Sequence, residues 1–241
     1  MGFYIQLYSL REAAEQDFTG MLERVAQIGY AGVEFAGYGG LSGDEMAAKL
    51  KELGLEAPSS HISAGRFAEH FAEEMEFLKK VGAKYAVLPH YNMENEQQAI
   101  EAAKLFQEYA LRCKEHGMTF AYHNHGFEFE TTPKGAYLMD LVLEQAPDVM
   151  LELDLYWAQY AGVDPAEYIR RWNDRIVMLH IKDIENMETK RCVDAGTGML
   201  DFAALRDLAV NSQYAIYEQE EYEVSCWDSA ENSFQNMKSV F

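Results

Sequence analysis

A single (β/α)8 barrel over residues 1–241 is the fold this sequence predicts, and three observations carry it. Short β-rich runs alternate with amphipathic helical stretches along the whole chain. Eight such runs fit within 241 residues, the repeat number and length that a closed parallel barrel needs. Glycine stands just past helix ends in "QIGYAGVEF", "KELGLEA", "KKVGAKYAV" and "KEHGMTFAY", each time with a strand following at once. Glycine there caps a helix at little steric cost, and repeated helix–Gly–strand units imply parallel strands joined by right-handed crossovers. A doubly wound open sheet is the alternative, but no glycine-rich phosphate loop follows the first strand.

In chain order the strand candidates are "FYIQLYS", "AGVEFAG", "APSSHIS" and "YAVLPH", then "TFAYHNH", "VMLELDLYW", "IVMLHIKD" and "YAIYEQEEY". Each is rich in β-branched, aromatic or aliphatic residues and is bounded by turn formers. The helices between them show apolar residues at helical spacing, as in Phe18, Met21, Leu22 and Val25. The C-terminal "DSAENSFQNMKSVF" reads as a last helix that closes the barrel or packs on a partner, and a homo-oligomer is compatible with it. No linker, low-complexity tract or second domain interrupts the pattern.

Composition narrows the function classes. The net charge of −20 repels phosphate backbones, which argues against nucleic acid as the partner. No apolar run approaches the roughly 20 residues that span a membrane, and the N-terminus has no signal-peptide pattern, so a cytoplasmic location is expected. The 3 cysteines, Cys113, Cys192 and Cys226, make neither a zinc spacing nor a disulfide framework.

In this barrel, chemistry gathers where strands end. The strand ends present Gln6, Glu34, His61, His90, His123 with His125, Asp154, His180 with Lys182, and Glu218. Of 7 histidines only His70 and His116 fall elsewhere, in helical segments. Alternation along a strand sends Met178, His180 and Lys182 to one face, and Glu152 and Asp154 to one face against flanking leucines. Converging buried carboxylates and imidazoles cost several kcal/mol unless a counter-charge joins them. A divalent cation supplies it, and oxygen and imidazole donors without thiolate suit Mn, Zn, Mg or Co. Asp154, His180 and Glu218 are the expected ligands.

The stretches "IQLYSLRE", "GYAGVEFAGY", "SSHIS", "YHNHGFEF", "LELDLYWAQYAGVDPAEYI", "LHIKD", "DAGTGMLDFAAL" and "YAIYEQEE" follow one another in a characteristic order. Over nearly the whole chain they resemble the sugar phosphate isomerase/epimerase family with its xylose isomerase-like barrel. The resemblance implies one divalent metal held by Glu, Asp, His and Glu from successive strand ends. This chain departs from it at the fifth strand, where many relatives have glutamate and His123 stands instead. Glu128, brought back by the turn at Gly126, is the favoured replacement; direct ligation by His123 or His125 is the alternative.

The implied chemistry is removal of a proton alpha to a sugar carbonyl, giving an enediolate steadied by Lys182. His125 and Glu218 are the expected proton-transfer pair, with His123 also available for acid–base work. Glu34, His61, His90, Trp157 and Lys182 are expected to line the substrate wall, Lys182 pairing alternatively with Glu220 or Glu152. The main expectation is a sugar isomerase or epimerase. The alternatives are a dehydratase or lyase on a keto-sugar, keto-glycoside or keto-inositol at the same site, and a barrel that binds sugar without catalysis. "DAGTGML" is expected as a tight turn, with a phosphate-holding loop as its alternative. The mouth has no obvious arginine, which points to an unphosphorylated small-molecule sugar or cyclitol.

Overall fold

The computed structural model describes residues 2–241. Seven strands run in chain order as β1 (Phe3–Gln6), β2 (Gly32–Phe35), β3 (Glu56–His61), β4 (Tyr85–Leu88), β5 (Thr119–His123), β6 (Met150–Asp154) and β7 (Ile176–Ile181). A small hairpin, β8 (Asp183–Ile184) and β9 (Cys192–Val193), precedes β10 (Tyr214–Tyr217). All neighbours in the barrel are parallel, and the ring closes in the order β1-β10-β7-β6-β5-β4-β3-β2. The expected barrel is therefore the observed one.

The leucine alternation works as read from the sequence. Leu151, Leu153 and Leu155 are fully buried, while Glu152 and Asp154 occupy the alternate positions. Glycine ends the helices where expected: Gly54 and Gly82 sit at φ 68° and 76°, a left-handed cap that side chains with a Cβ adopt at a cost. The last helix, Cys226–Met237, lays Phe234 against Tyr30 and Phe3, with ring centroids 5.0 and 6.4 Å apart.

Inside the barrel, an apolar plug including Tyr4, Tyr85, Val87, Met178 and Ile216 fills the lower part. Polar side chains stack above it, and strand register sets their levels. Gln6 is level with Glu34, His123 with Glu152, and Asp154 with His180. Ile216 pairs with His180, so Glu218 stands two residues further along on the same face.

One expected element is shorter than the sequence suggested, and another is the tight turn it was read as. The sixth strand stops at Asp154, whose Oδ1 accepts the Trp157 N–H at 2.9 Å and caps a helix over Leu155–Tyr160. Tyr156 and Trp157 thus belong to a helix rather than to the strand. In "DAGTGML" the amides wrap the buried carboxylate of Asp183. Gly196 and Gly198 donate to its Oδ2 at 3.0 and 2.9 Å, Ile184 and Leu200 to its Oδ1 at 2.9 and 3.3 Å. These amides serve an internal carboxylate, so the loop is a tight turn. Asp183→Ala leaves four N–H donors without that partner and is expected to lower stability by about 3 kcal/mol or more. Urea unfolding measures it; a midpoint within error of wild type would show that water replaces the carboxylate.

Candidate metal and active site at the barrel mouth

Four donors meet at the C-terminal end of the barrel: His123 from β5, Asp154 from β6, His180 from β7 and Glu218 just past β10. One ligand atom from each lies within 4.8 Å of all the others. His123 Nε2 is 3.6 Å from Asp154 Oδ2 and 3.9 Å from Glu218 Oε2, while His180 Nδ1 is 3.3 Å from Glu218 Oε2. Such spacings suit atoms sharing one ion at bond lengths of about 2.0–2.2 Å. His123 Nε2 and Asp154 Oδ2 are buried and have no hydrogen-bond partner. Orphaned atoms on neighbouring strands, one imidazole and one carboxylate, fit a divalent cation; the expected ligands Asp154, His180 and Glu218 are brought together, and His123 stands beside them.

Glu128 is not brought to them. It lies in a 3-10 turn, Phe127–Phe129, that points its carboxylate back into the protein. Tyr122 donates its hydroxyl to Glu128 Oε1 at 2.6 Å, and the His125 N–H donates to Oε2 at 2.8 Å. Both oxygens are thus engaged in shaping the loop, and burial raises the pKa of Glu128 to about 7. The turn closes onto Tyr122 instead of toward β6, so Glu128, the favoured fourth ligand from the sequence, stands apart from the cluster, and His123, its alternative, stands in it. His123→Ala is therefore expected to deplete bound metal while Glu128→Gln retains it, as elemental analysis of the purified variants would read; the reverse pattern would restore Glu128.

Under the four donors lies a second layer. His180 faces both ways: Nδ1 meets Glu218, while Nε2 reaches Glu34 Oε1 at 2.9 Å and Glu152 Oε2 at 3.3 Å. His61 Nε2 bridges the same carboxylates, 2.7 Å from Glu152 and 3.1 Å from Glu34, and Gln6 donates to Glu34 at 2.6 Å. Glu34, His61, Glu152 and His180 also stand within 4.8 Å of one another; hydrogen bonds tie one oxygen of each carboxylate to the imidazoles, while Glu34 Oε2 and Glu152 Oε1 are buried without a partner. Its carboxylates face His180 Nε2, and together with Glu218 at Nδ1 they raise the pKa of that imidazole despite its burial. Glu34, expected on the substrate wall, is fully buried beneath it instead. Gln6, read from the sequence only as a strand-end residue, and Glu152, placed inward by alternation and read as a possible partner of Lys182, act here in holding Glu34, His61 and His180.

Charge follows from this packing. Burial opposes a positive His61, yet Glu34 and Glu152 raise its pKa to about 10. Burial, together with the His180 and His61 rings, pushes His123 down to about 3, so it is neutral. His125 is also pushed to about 3, chiefly by burial, and is neutral. Burial would raise Glu218, but hydrogen bonding and charge from His180, with Lys182 behind, hold it well below the usual carboxylate range. Asp154 is raised to about 6 by burial. Lys182 pairs with Glu220 rather than Glu152, and its ammonium lies 4.8 Å from the centre of the Trp157 ring. Asn124, between the two histidines, accepts from the Asp154 N–H at 3.0 Å and ties β5 to β6.

A cavity of about 350 Å³ opens above the donors, lined by Tyr8, His61, His90, His123, His125 and Glu218 among others. Its carboxylates, Glu218 and Glu220, follow β10; imidazoles line the side formed by β3, β4 and β5. The family model for the xylose isomerase-like TIM barrel matches residues 22–238. This chain belongs to that family. Within the xylose isomerase-like barrels it is similar in sequence to the inosose dehydratase of Geobacillus kaustophilus, 28% identical over 192 residues, which are 69% of this chain and 62% of that one. The inosose dehydratase of Clostridium perfringens is 29% identical over 137 residues, 50% of this chain and 46% of the relative. The match thus spans less than two-thirds of these relatives' length. In structure, a sugar phosphate isomerase/epimerase from Parabacteroides distasonis aligns with a TM-score of 0.86 at 24% identity, over 99% of this chain and 94% of that one. The IolI protein with a bound zinc atom aligns with a TM-score of 0.78 at 15% identity, over 100% and 98%. These two likenesses are of fold. No helix among the described residues is long and apolar enough to cross a membrane.

Proposed function

We propose that this chain is a divalent-metal-dependent lyase that removes the proton alpha to the carbonyl of a keto-sugar or keto-cyclitol and expels an oxygen substituent from the β-carbon. One observation carries the reading: a carboxylate side and an imidazole side face each other across one cavity above a four-donor cluster. His123, Asp154, His180 and Glu218 would hold the metal, which supplies Lewis-acid polarisation of the carbonyl. Glu218 is ionised and accepts the α-proton from its side of the cavity. His125, neutral and on the other side, donates its N–H hydrogen bond to the departing oxygen, which takes its proton from water. Lys182 and Glu220 close the rim, the ammonium offsetting negative charge that develops as the α-proton leaves. Trp157, on the helix that Asp154 caps, shields that step from water.

The sequence similarity to inosose dehydratases supports elimination, since an inosose is a keto-cyclitol. A second reading, isomerisation or epimerisation, starts from the same proton abstraction and is favoured by the fold likeness to an isomerase/epimerase. The test is incubation of the Mn²⁺-loaded protein with 2-keto-myo-inositol and a panel of keto-sugars in D₂O, read by mass spectrometry. A product lighter by one water, or by the leaving alcohol, supports the lyase. A product of unchanged composition carrying deuterium supports the second reading. Absence of both elimination and α-deuterium incorporation across the panel would sink the chemistry and leave a sugar-binding barrel.

A further inference from the structure

We infer that the aromatic-walled cavity beside the mouth is a subsite for the departing group, so that the substrate is a keto-glycoside with a ring on its β-oxygen. This rests on the proton-abstraction reading above. The cavity measures about 480 Å³ and is walled by Phe127, Trp157, Tyr160 and Lys190. It shares His90 and His125 with the cavity over the donor cluster, and those two rings stand edge to face with centroids 5.4 Å apart. The histidine pair is therefore the partition between a chamber for the reacting carbon and a chamber for what leaves it.

The second chamber is built for a flat apolar face. His125 and Phe127 lie nearly parallel, 17° apart, and Trp157 meets Tyr160 at 68° with centroids 5.2 Å apart. Rings of this kind favour stacking on a planar or ring-shaped partner. Trp157 Nε1 and His125 Nδ1, on two of the rings that wall it, are buried without a hydrogen-bond partner. An indole N–H is a donor only, so a ligand that displaces its cover meets it with an acceptor such as a glycosidic or ring oxygen. The wall is also braced: Lys190 holds the left-handed conformation at φ 51°, Tyr156 donates to its carbonyl at 2.9 Å, and its ammonium bonds the Tyr160 carbonyl at 2.7 Å. A non-glycine residue kept there is maintained by its surroundings.

Carbon chemistry then selects the substrate. A glycosidic oxygen on C1 is β to a carbonyl only when the carbonyl is at C3, with the acidic hydrogen on C2. The C2–H bond breaks and its electron pair forms C1=C2, while the C1–O bond breaks and the leaving oxygen takes up a proton. No oxidant or reductant is consumed. Loss of plain water would leave the second chamber without a use.

The test is calorimetric binding of unreactive probes to the Mn²⁺-loaded protein. Methyl β-D-glucopyranoside, 4-nitrophenyl β-D-glucopyranoside and cellobiose have no carbonyl at C3 and cannot react by this route. One of the two ring-bearing probes is expected to bind about tenfold tighter than the methyl glycoside. Which one does so tells an aryl from a sugar leaving group. That preference is expected to fall several-fold in Tyr160→Ala and in Trp157→Phe. Indistinguishable binding of all three probes, including no binding of any, overturns the subsite. Release of 4-nitrophenol from 4-nitrophenyl 3-keto-β-D-glucopyranoside is read in parallel. A ring preference without that release keeps the subsite and overturns the elimination chemistry, so the two failures are separable.

Discussion

Asp154→Asn is expected to lose its metal and keep its fold. Asp154 uses its two oxygens differently: Oδ1 caps the Leu155–Tyr160 helix through the Trp157 N–H, while Oδ2 is buried, unpartnered and 3.6 Å from His123 Nε2. Asparagine caps a helix about as well as aspartate, so the helix survives the exchange. What disappears is the negative charge at the donor cluster. The loss in metal affinity should exceed the roughly 10–100-fold caused by removing a supporting hydrogen bond. Elemental analysis after dialysis and a melting curve measure the two effects separately. Asp154→Ala adds loss of the cap, about 1 kcal/mol, which gives the melting curve a positive control. Wild-type metal content in Asp154→Asn would remove the four-donor site from consideration.

The second large effect is at Glu218. In the proposed reaction this carboxylate receives the α-proton, so Glu218→Gln should slow α-hydrogen exchange by about 10²–10⁴-fold. Exchange is read by NMR of 2-keto-myo-inositol in D₂O at saturating Mn²⁺, so that weakened metal binding does not masquerade as lost base. Glutamine preserves an oxygen toward His180 Nδ1, 3.3 Å away in the native protein, and keeps the packing. Undiminished exchange would transfer the base role elsewhere, with Glu220 on the same rim as the next carboxylate to replace.

These effects fall on residues whose convergence was readable before any coordinates. Helix–Gly–strand repeats imply parallel neighbours, and parallel neighbours in a closed barrel bring strand C-termini to one mouth. That reasoning alone assembled Asp154, His180 and Glu218, because period-2 alternation is a local property of the backbone. It also marked the leucines that face the helices. It did not say which way a loop turns. Glu128 lies five residues past His123, and its direction is decided by a hydroxyl on Tyr122 and an amide at His125, both inside the loop's own packing. Glu34 shows the same limit from below. It points inward as alternation requires, but depth within the barrel depends on register with β1 and β3, and there it is fully buried against His61 and His180.

Local sequence thus determined the barrel, the strand ends and the residue types gathered there, since periodicity, caps and turn formers act over a few residues. Tertiary structure alone decided that His123 rather than Glu128 stands beside Asp154, His180 and Glu218, that His180 meets a buried carboxylate pair, and that the cavity has carboxylates on one side and imidazoles on the other. Those outcomes depend on register between strands far apart in the chain and on how one short turn packs, which no local pattern encodes.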